Sequence, residues 1–111
     1  ALALVIGCSR TTAPPDPIPA AELPAAVEKA FGKAKPEIQS LARQVVSQIQ
    51  AQDYTKAFAS LQALAARPEL TKEQADVASR TTLTLNGLLQ EAQAKGDAKA
   101  AQTLQKYRHD K

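Results

Sequence analysis

Apolar residues recur at steps of three and four from Leu23 onwards, the spacing that gives an α-helix one apolar face. Between Pro36 and Ala51 this stripe consists of Ile38, Leu41, Val45, Val46 and Ile49. After Asp53 it consists of Tyr54, Ala57, Phe58, Leu61 and Leu64. The chain is also rich in Ala, Leu, Gln and Lys, which favour helices. Pattern and composition together predict an all-α fold.

Local signals mark where the helices begin and end. Proline stands in a first-turn position at Leu23-Pro24 and again at Pro36. Thr71-Lys72-Glu73-Gln74 matches a capping box, and Arg67-Pro68 ends a helix because the residue before proline is pushed out of the α region. The predicted helices run from Leu23 to before Gly32, from Pro36 to about Ala51, from Asp53 to Arg67, from Thr71 towards Lys95, and from Asp97 onwards past a cap at Gly96.

The segment from Thr81 to Gly87 has an ambiguous pattern. It alternates polar and apolar residues like a strand and ends in the hairpin dipeptide Asn86-Gly87. Its apolar residues also keep helical spacing through Leu85, Leu88 and Leu89. We therefore predict a continuing helix with a local irregularity near Gly87.

A weak internal repeat relates two parts of the predicted helical domain, 23–111. A shift of 43 residues places Gln50 on Gln93, Ala57 on Ala100 and Leu61 on Leu104. The repeat predicts a small bundle of four to five helices, arranged as two stacked antiparallel helical hairpins at 36–66 and 72–109. The side chains expected to be buried between the hairpins are those of Val45, Ile49, Phe58, Leu61, Leu85 and Leu89.

One segment resembles the second helix of a tetratricopeptide repeat: Gln52-Asp53-Tyr54-Thr55-Lys56-Ala57, then Leu61, Leu64 and Pro68. The resemblance covers residues 52–68. The Trp, Leu, Gly and Tyr of the family's first helix are replaced here by Leu41, Gln44, Val45 and Gln48. The resemblance implies a helical-hairpin scaffold that contacts partner proteins, and it carries over no binding residues.

The N-terminal residues have a different character. Residues 1–7 are uncharged and end in a small residue, and they precede Cys8, the one cysteine of the chain. Val5-Ile6-Gly7-Cys8 resembles a bacterial lipoprotein lipobox. That resemblance implies lipid attachment at the Cys8 sulfur, with residues 1–7 as the C-terminal part of a signal peptide. The alternative is a buried cysteine in a short N-terminal helix.

Residues 8–22 join this cysteine to the helical domain. Four of the residues from Pro14 to Pro19 are proline, a composition that favours an extended, semi-rigid spacer. Such a spacer would hold a folded domain off a membrane surface. Ser9 follows the cysteine, and by the rule known from enteric bacteria this implies export to the outer membrane.

Residues that could support chemistry are few. His109 is the one histidine, so a metal cluster of His and Cys cannot form, and the carboxylates Glu69, Glu73 and Asp76 lie where they favour a helix dipole. The net charge of +3 resides in the tail 95–111, where acidic residues interrupt the basic ones, as on a solvated helix face. We expect no enzyme activity, no cofactor, no small-molecule substrate and no nucleic-acid partner.

The sequence thus predicts a lipid-anchored protein of the bacterial cell envelope, attached to the outer membrane through Cys8 and facing the periplasm. Its helical domain is expected to act as a scaffold that contacts other envelope proteins. The alternative is a small soluble helical adaptor of the tetratricopeptide kind that carries no lipid. The residues encoded just before Ala1 would distinguish the two. Met with Lys or Arg and further apolar residues there would favour the lipoprotein, and polar or folded sequence would favour the adaptor.

Overall fold

The computed structural model describes residues 16–110, and the side chains of residues 16–107. Within these residues the fold is all-helical, with no strand. A single 3-10 turn, Ala20–Glu22, leads directly into the first helix. The five helices are α1 (Leu23–Phe31), α2 (Pro36–Gln50), α3 (Tyr54–Ala65), α4 (Lys72–Ala94) and α5 (Ala98–Asp110).

The predicted helix starts are confirmed, with their caps. The Asp53 side chain accepts a hydrogen bond from the backbone amide of Lys56 at the start of α3. At the start of α4 the predicted capping box is complete. The Gln74 amide donates to the Thr71 hydroxyl at 3.1 Å, and the Thr71 amide donates to the Gln74 side chain at 2.9 Å. These local signals act because they satisfy backbone N–H groups that have no partner inside the helix.

The predicted irregularity near Gly87 is wrong, because α4 is one uninterrupted helix from Lys72 to Ala94. Its three threonines have their hydroxyl groups close to backbone carbonyls of the same helix. Thr81 and Thr82 each donate to the carbonyl four residues earlier, at 2.7 and 2.9 Å, and the Thr84 hydroxyl oxygen lies 3.1 Å from the carbonyl of Arg80. The threonine hydroxyls are therefore satisfied inside a helix that stays unbroken.

The helices pack into a small bundle. α2 packs along α3, and α4 packs along both α3 and α5, while α1 contacts α2 and α4. α3 also contacts α5 through an edge-to-face pair, Phe58 and Tyr107, whose ring centroids are 4.9 Å apart. All six residues predicted to be buried lie in the core, which confirms the assigned helix faces: Val45, Ile49, Phe58, Leu61, Leu85 and Leu89.

Two turns of the same kind join α2 to α3 and α4 to α5. In the first, the Asp53 amide donates to the carbonyl of Gln48 at 2.8 Å, and in the second the Asp97 amide donates to that of Ala92 at 3.0 Å. A residue with positive φ precedes each aspartate, namely Gln52 at 62° and Gly96 at 96°. This is the Schellman arrangement that ends many helices.

The two turns match at a spacing of 44 residues, one more than the sequence repeat predicted. The core of the last helix still follows the spacing of 43, because Ala57 and Leu61 correspond to Ala100 and Leu104, and all four are buried. The capping turn and the packed face of the second helix pair are therefore offset by one residue relative to the first.

The C-terminal part of the predicted spacer lies on the helical domain. Ile18 is only 3% exposed and belongs to the core cluster. Its carbonyl accepts a hydrogen bond from the Thr84 hydroxyl, and the carbonyl of Asp16 accepts one from Arg80. The packed domain therefore includes described residues that precede the first α-helix.

Candidate functional site

Cys8, the predicted lipid attachment site, lies outside the described residues, as do residues 1–7 of the predicted signal peptide. The side chain of His109 also lies outside them. The surface features of residues 16–107 therefore supply the remaining candidates for a contact site.

A groove of about 730 Å³ lies between α4 and α5. We call it the amide groove, because three carboxamide side chains of α4 line one wall. The opposite wall comes from α5. The lining residues are Asn86, Gln90, Gln93, Ala94, Leu104 and Tyr107.

Helical periodicity produces this lining. Asn86, Gln90 and Gln93 are spaced by four and three residues, so they form one row along α4 about one turn apart. Leu104 on α5 is buried beneath the row. The Tyr107 ring stands at 87° to the ring of Phe58, and this contact holds it at the groove wall.

The lining determines what the groove can bind. Each carboxamide offers two N–H donors and one oxygen acceptor, the same pair of functions that a peptide backbone carries. The amides bring no net charge, and Leu104 and Tyr107 add apolar surface. A site of this composition suits a neutral polypeptide segment better than an ion or a phosphate. The spacing of these amides along a predicted helix is visible in the sequence. It does not indicate a groove, because the opposite wall comes from α5.

A second hollow, of about 400 Å³, lies where the turn after α2 approaches the turn after α4. Its charged residues are Glu91, Lys95 and Asp97, and all three are exposed. The side chain of Asp97 is engaged in capping α5, where it accepts from the amides of Lys99 and Ala100 at 3.0 and 3.2 Å. This hollow forms because the two turns lie next to each other.

Arg67, in the loop between α3 and α4, joins two carboxylates at the other end of the bundle. Its guanidinium lies 2.9 Å from Glu69 and 3.6 Å from Glu37. The pKa of the Glu69 carboxyl is lowered below its usual value. The larger cause is a hydrogen bond from the Glu69 backbone amide, and the next is the hydrogen bond from the Arg67 side chain. The side chains of Arg67 and Glu69 are partly exposed. This cluster therefore ties the loop to α2 and does not form a reactive pair.

Across the part of the chain that the structure describes, no three His, Cys, Asp or Glu side chains group closely enough to hold a metal ion. No helix within residues 16–110 has the length and apolarity needed to cross a membrane. In the tail, Lys95, Lys99 and Lys106 are exposed, while Tyr107 packs on Phe58.

Comparison of the chain with protein-family models, with curated proteins and with solved structures gives no match.

Proposed function

We propose that this chain is a bacterial envelope lipoprotein, anchored through a lipid on Cys8, whose helical domain binds other envelope proteins. The lipobox-like run Val5-Ile6-Gly7-Cys8 carries the anchoring part of the proposal. Several acyl chains on one cysteine would make membrane attachment effectively permanent, since each buried CH₂ contributes about 0.8 kcal/mol. The proline-rich residues after Cys8 supply the spacer that such an anchor needs.

For the domain we propose the finer arrangement of two stacked antiparallel helical hairpins, α2 with α3 and α4 with α5. The matching Schellman turns support it, as does the position of α4 against both α3 and α5. Hydrogen bonds from Ser60 to Gln48 at 2.7 Å, and between Thr55 and Thr103 at 3.1 Å, link helices within and between the hairpins. Such scaffolds present grooves between helices to partner proteins.

We propose the amide groove as the surface that contacts a partner. Its row of Asn86, Gln90 and Gln93 can pair with the N–H and C=O groups of a polypeptide, while Leu104 and Tyr107 provide apolar contact. Function by contact also agrees with the small number of residues suited to catalysis in the sequence. Because recognition would be spread over several amides, single substitutions there should weaken binding and leave the fold unchanged.

Labelled fatty acid incorporation tests the anchor. Expressed in a bacterium with a complete signal peptide, the protein should partition with membranes and incorporate label, and Cys8→Ala should abolish both. Ser9→Ala is the matched control, because it changes the neighbouring residue and leaves the sulfur in place. Equal labelling of Cys8→Ala would contradict the proposal and favour the soluble adaptor.

Site-specific photo-crosslinking in cells tests the groove. A crosslinker at Gln90 or Gln93 should give a discrete adduct with an envelope protein. The same probe at Gln102, an exposed glutamine of α5 that does not line the groove, is the control. An adduct at Gln102 of equal yield, or one that persists in an Asn86→Leu and Tyr107→Ala background, would remove the groove from the proposal.

A further inference from the structure

Residues 16–19, here called the strap, are fastened to the middle of α4 by two hydrogen bonds. Arg80 Nε donates to the carbonyl of Asp16 at 2.9 Å, and Thr84 Oγ1 donates to the carbonyl of Ile18 at 2.5 Å. The Ile18 side chain is buried in the core cluster. The two partners on α4 lie 64 and 66 residues away in sequence from the strap residues that they hold.

The strap sequence suits this role. Ile18 stands between Pro17 and Pro19, so Asp16 and Ile18 both precede a proline and are restricted to extended backbone. The two prolines have no N–H group that would need a partner, while the carbonyls of Asp16 and Ile18 remain available to α4. Two residues of extended chain span about 6.6 Å, close to the roughly 6 Å rise between Arg80 and Thr84 on the helix.

We propose that the strap is a clamp that fixes where the N-terminal segment leaves the helical domain, and so limits how far a membrane anchor at Cys8 lets the domain move. The part that concerns the membrane rests on the proposed function. With the clamp closed, eight Cα-to-Cα steps lead from Cys8 to Asp16, and a chain of that length reaches at most about 29 Å. With the clamp open, the chain is free as far as Ala20, where the 3-10 turn begins, and its reach rises to about 43 Å.

The clamp also determines which side of α4 the tether leaves. The helical step of about 100° per residue places Asn86 and Gln93 roughly opposite Thr84 around the α4 axis. The strap and the amide groove therefore lie on different flanks of α4. The chain therefore leaves the domain at Asp16 on the flank away from the groove, and a partner in the groove does not contact this exit point.

Isoleucine methyl NMR tests the clamp itself, without any lipid. Ile18 is one of four isoleucines, so its methyl signal is readily assigned, and it should show contacts with α4 methyl groups. Thr84→Val, which removes the hydroxyl that holds the Ile18 carbonyl, should shift this signal towards its random-coil position. Thr82→Val is the matched control, since the Thr82 hydroxyl donates to Ala78 within α4. An unshifted signal in Thr84→Val, or an equal shift in Thr82→Val, would overturn the clamp.

A second pair of variants keeps the test valid if Thr84→Val does not fold. Arg80→Gln removes the donor to the Asp16 carbonyl, and Asp76→Asn removes only the ion pair between Asp76 and Arg80. The clamp predicts greater trypsin cleavage after Arg10 in Arg80→Gln than in Asp76→Asn, because the freed strap gives the protease more chain. Equal cleavage in the two variants would contradict it.

Neutron reflectometry tests the limit on reach. Cys8 is the only cysteine, so protein produced without export, whose Cys8 thiol is free, can be coupled there to maleimide lipids in a supported bilayer. The wild-type domain should stay within about 29 Å of chain reach from the bilayer, and Thr84→Val with Ile18→Ser should extend the gap between domain and bilayer towards about 43 Å. An unchanged gap would overturn the clamp and leave the anchor standing. Failure of fatty acid labelling in cells would overturn the anchor and leave the clamp standing.

Discussion

The turn after α2 and the turn after α4 use the same backbone hydrogen bonds with different residues. In the α4–α5 turn, Gly96 adopts the positive φ that the motif requires. In the α2–α3 turn the corresponding residue is Gln52, whose side chain makes this conformation costly, by roughly 1–2 kcal/mol. Equal geometry therefore does not mean equal stability.

The helix pairs that these turns close also differ in their surroundings. α3 lies inside the bundle, in contact with α2, α4 and α5. α5 lies at the edge, where Leu104 borders the amide groove. The difference indicates that the first pair depends on tertiary packing to hold a strained turn, whereas the second has a better turn and less packing.

The largest expected effect is a loss of stability at two corresponding buried leucines, one in each helix pair. Leu61→Ala should lower the free energy of unfolding by about 2–5 kcal/mol, because it empties a site surrounded by other helices. Leu104→Ala, at the corresponding position of α5, should cost less, since its neighbours border open groove and can relax. Urea denaturation followed by circular dichroism measures both. A larger loss for Leu104→Ala would reverse the assigned order of the two pairs.

The turns themselves should respond in opposite directions. Gly96→Ala should destabilise the protein by roughly 1–2 kcal/mol through backbone strain alone, since an added methyl group meets nothing nearby. Gln52→Gly should stabilise it by up to about 1 kcal/mol, because glycine relieves the positive φ. Thermal melting of the two variants provides the measurement.

Gly87→Ala is the control for these glycine substitutions. Gly87 lies inside the continuous helix α4 with open space around it, so alanine there should raise stability by about 0.5–1 kcal/mol. A loss of stability in Gly87→Ala would mean that α4 is interrupted at this point after all.

The caps should differ more modestly. Asp97 accepts two backbone amides, at 3.0 and 3.2 Å, whereas Asp53 accepts one, at 3.4 Å. Replacement by alanine should therefore cost more at Asp97 than at Asp53, within the range of about 0.5–2 kcal/mol known for such caps. Chemical denaturation of both variants checks the order, and Asp→Asn at each site, which keeps an acceptor, should recover most of the loss.

The smallest expected effect is a dependence on pH at the opposite end of the bundle. The pKa of Glu69 is lowered in the folded protein, so its contribution to stability is complete above the unfolded pKa and is lost as pH falls through the folded pKa. Glu69→Gln should therefore lose less stability than wild type between about pH 6 and pH 3. Denaturation midpoints at several pH values measure this, and parallel curves would contradict it.

The sequence by itself determined the positions of the helices. Pro36, Asp53, Thr71 and Gly96 set helix limits through contacts within three or four residues, and such local interactions can be read from neighbouring letters. The apolar spacing likewise identified the buried faces, because every helix must hide its apolar stripe against something.

The tertiary structure alone decided three other features. α4 continues through Gly87 because packing along its length favours an unbroken helix over the local strand pattern. Ile18 joins the core, and its carbonyl accepts from Thr84 of α4, although its proline-rich neighbours resemble a spacer. The amide groove exists because α5 docks beside Asn86, Gln90 and Gln93. Each of these depends on residues far apart in sequence, whose meeting is decided by the packing of whole helices.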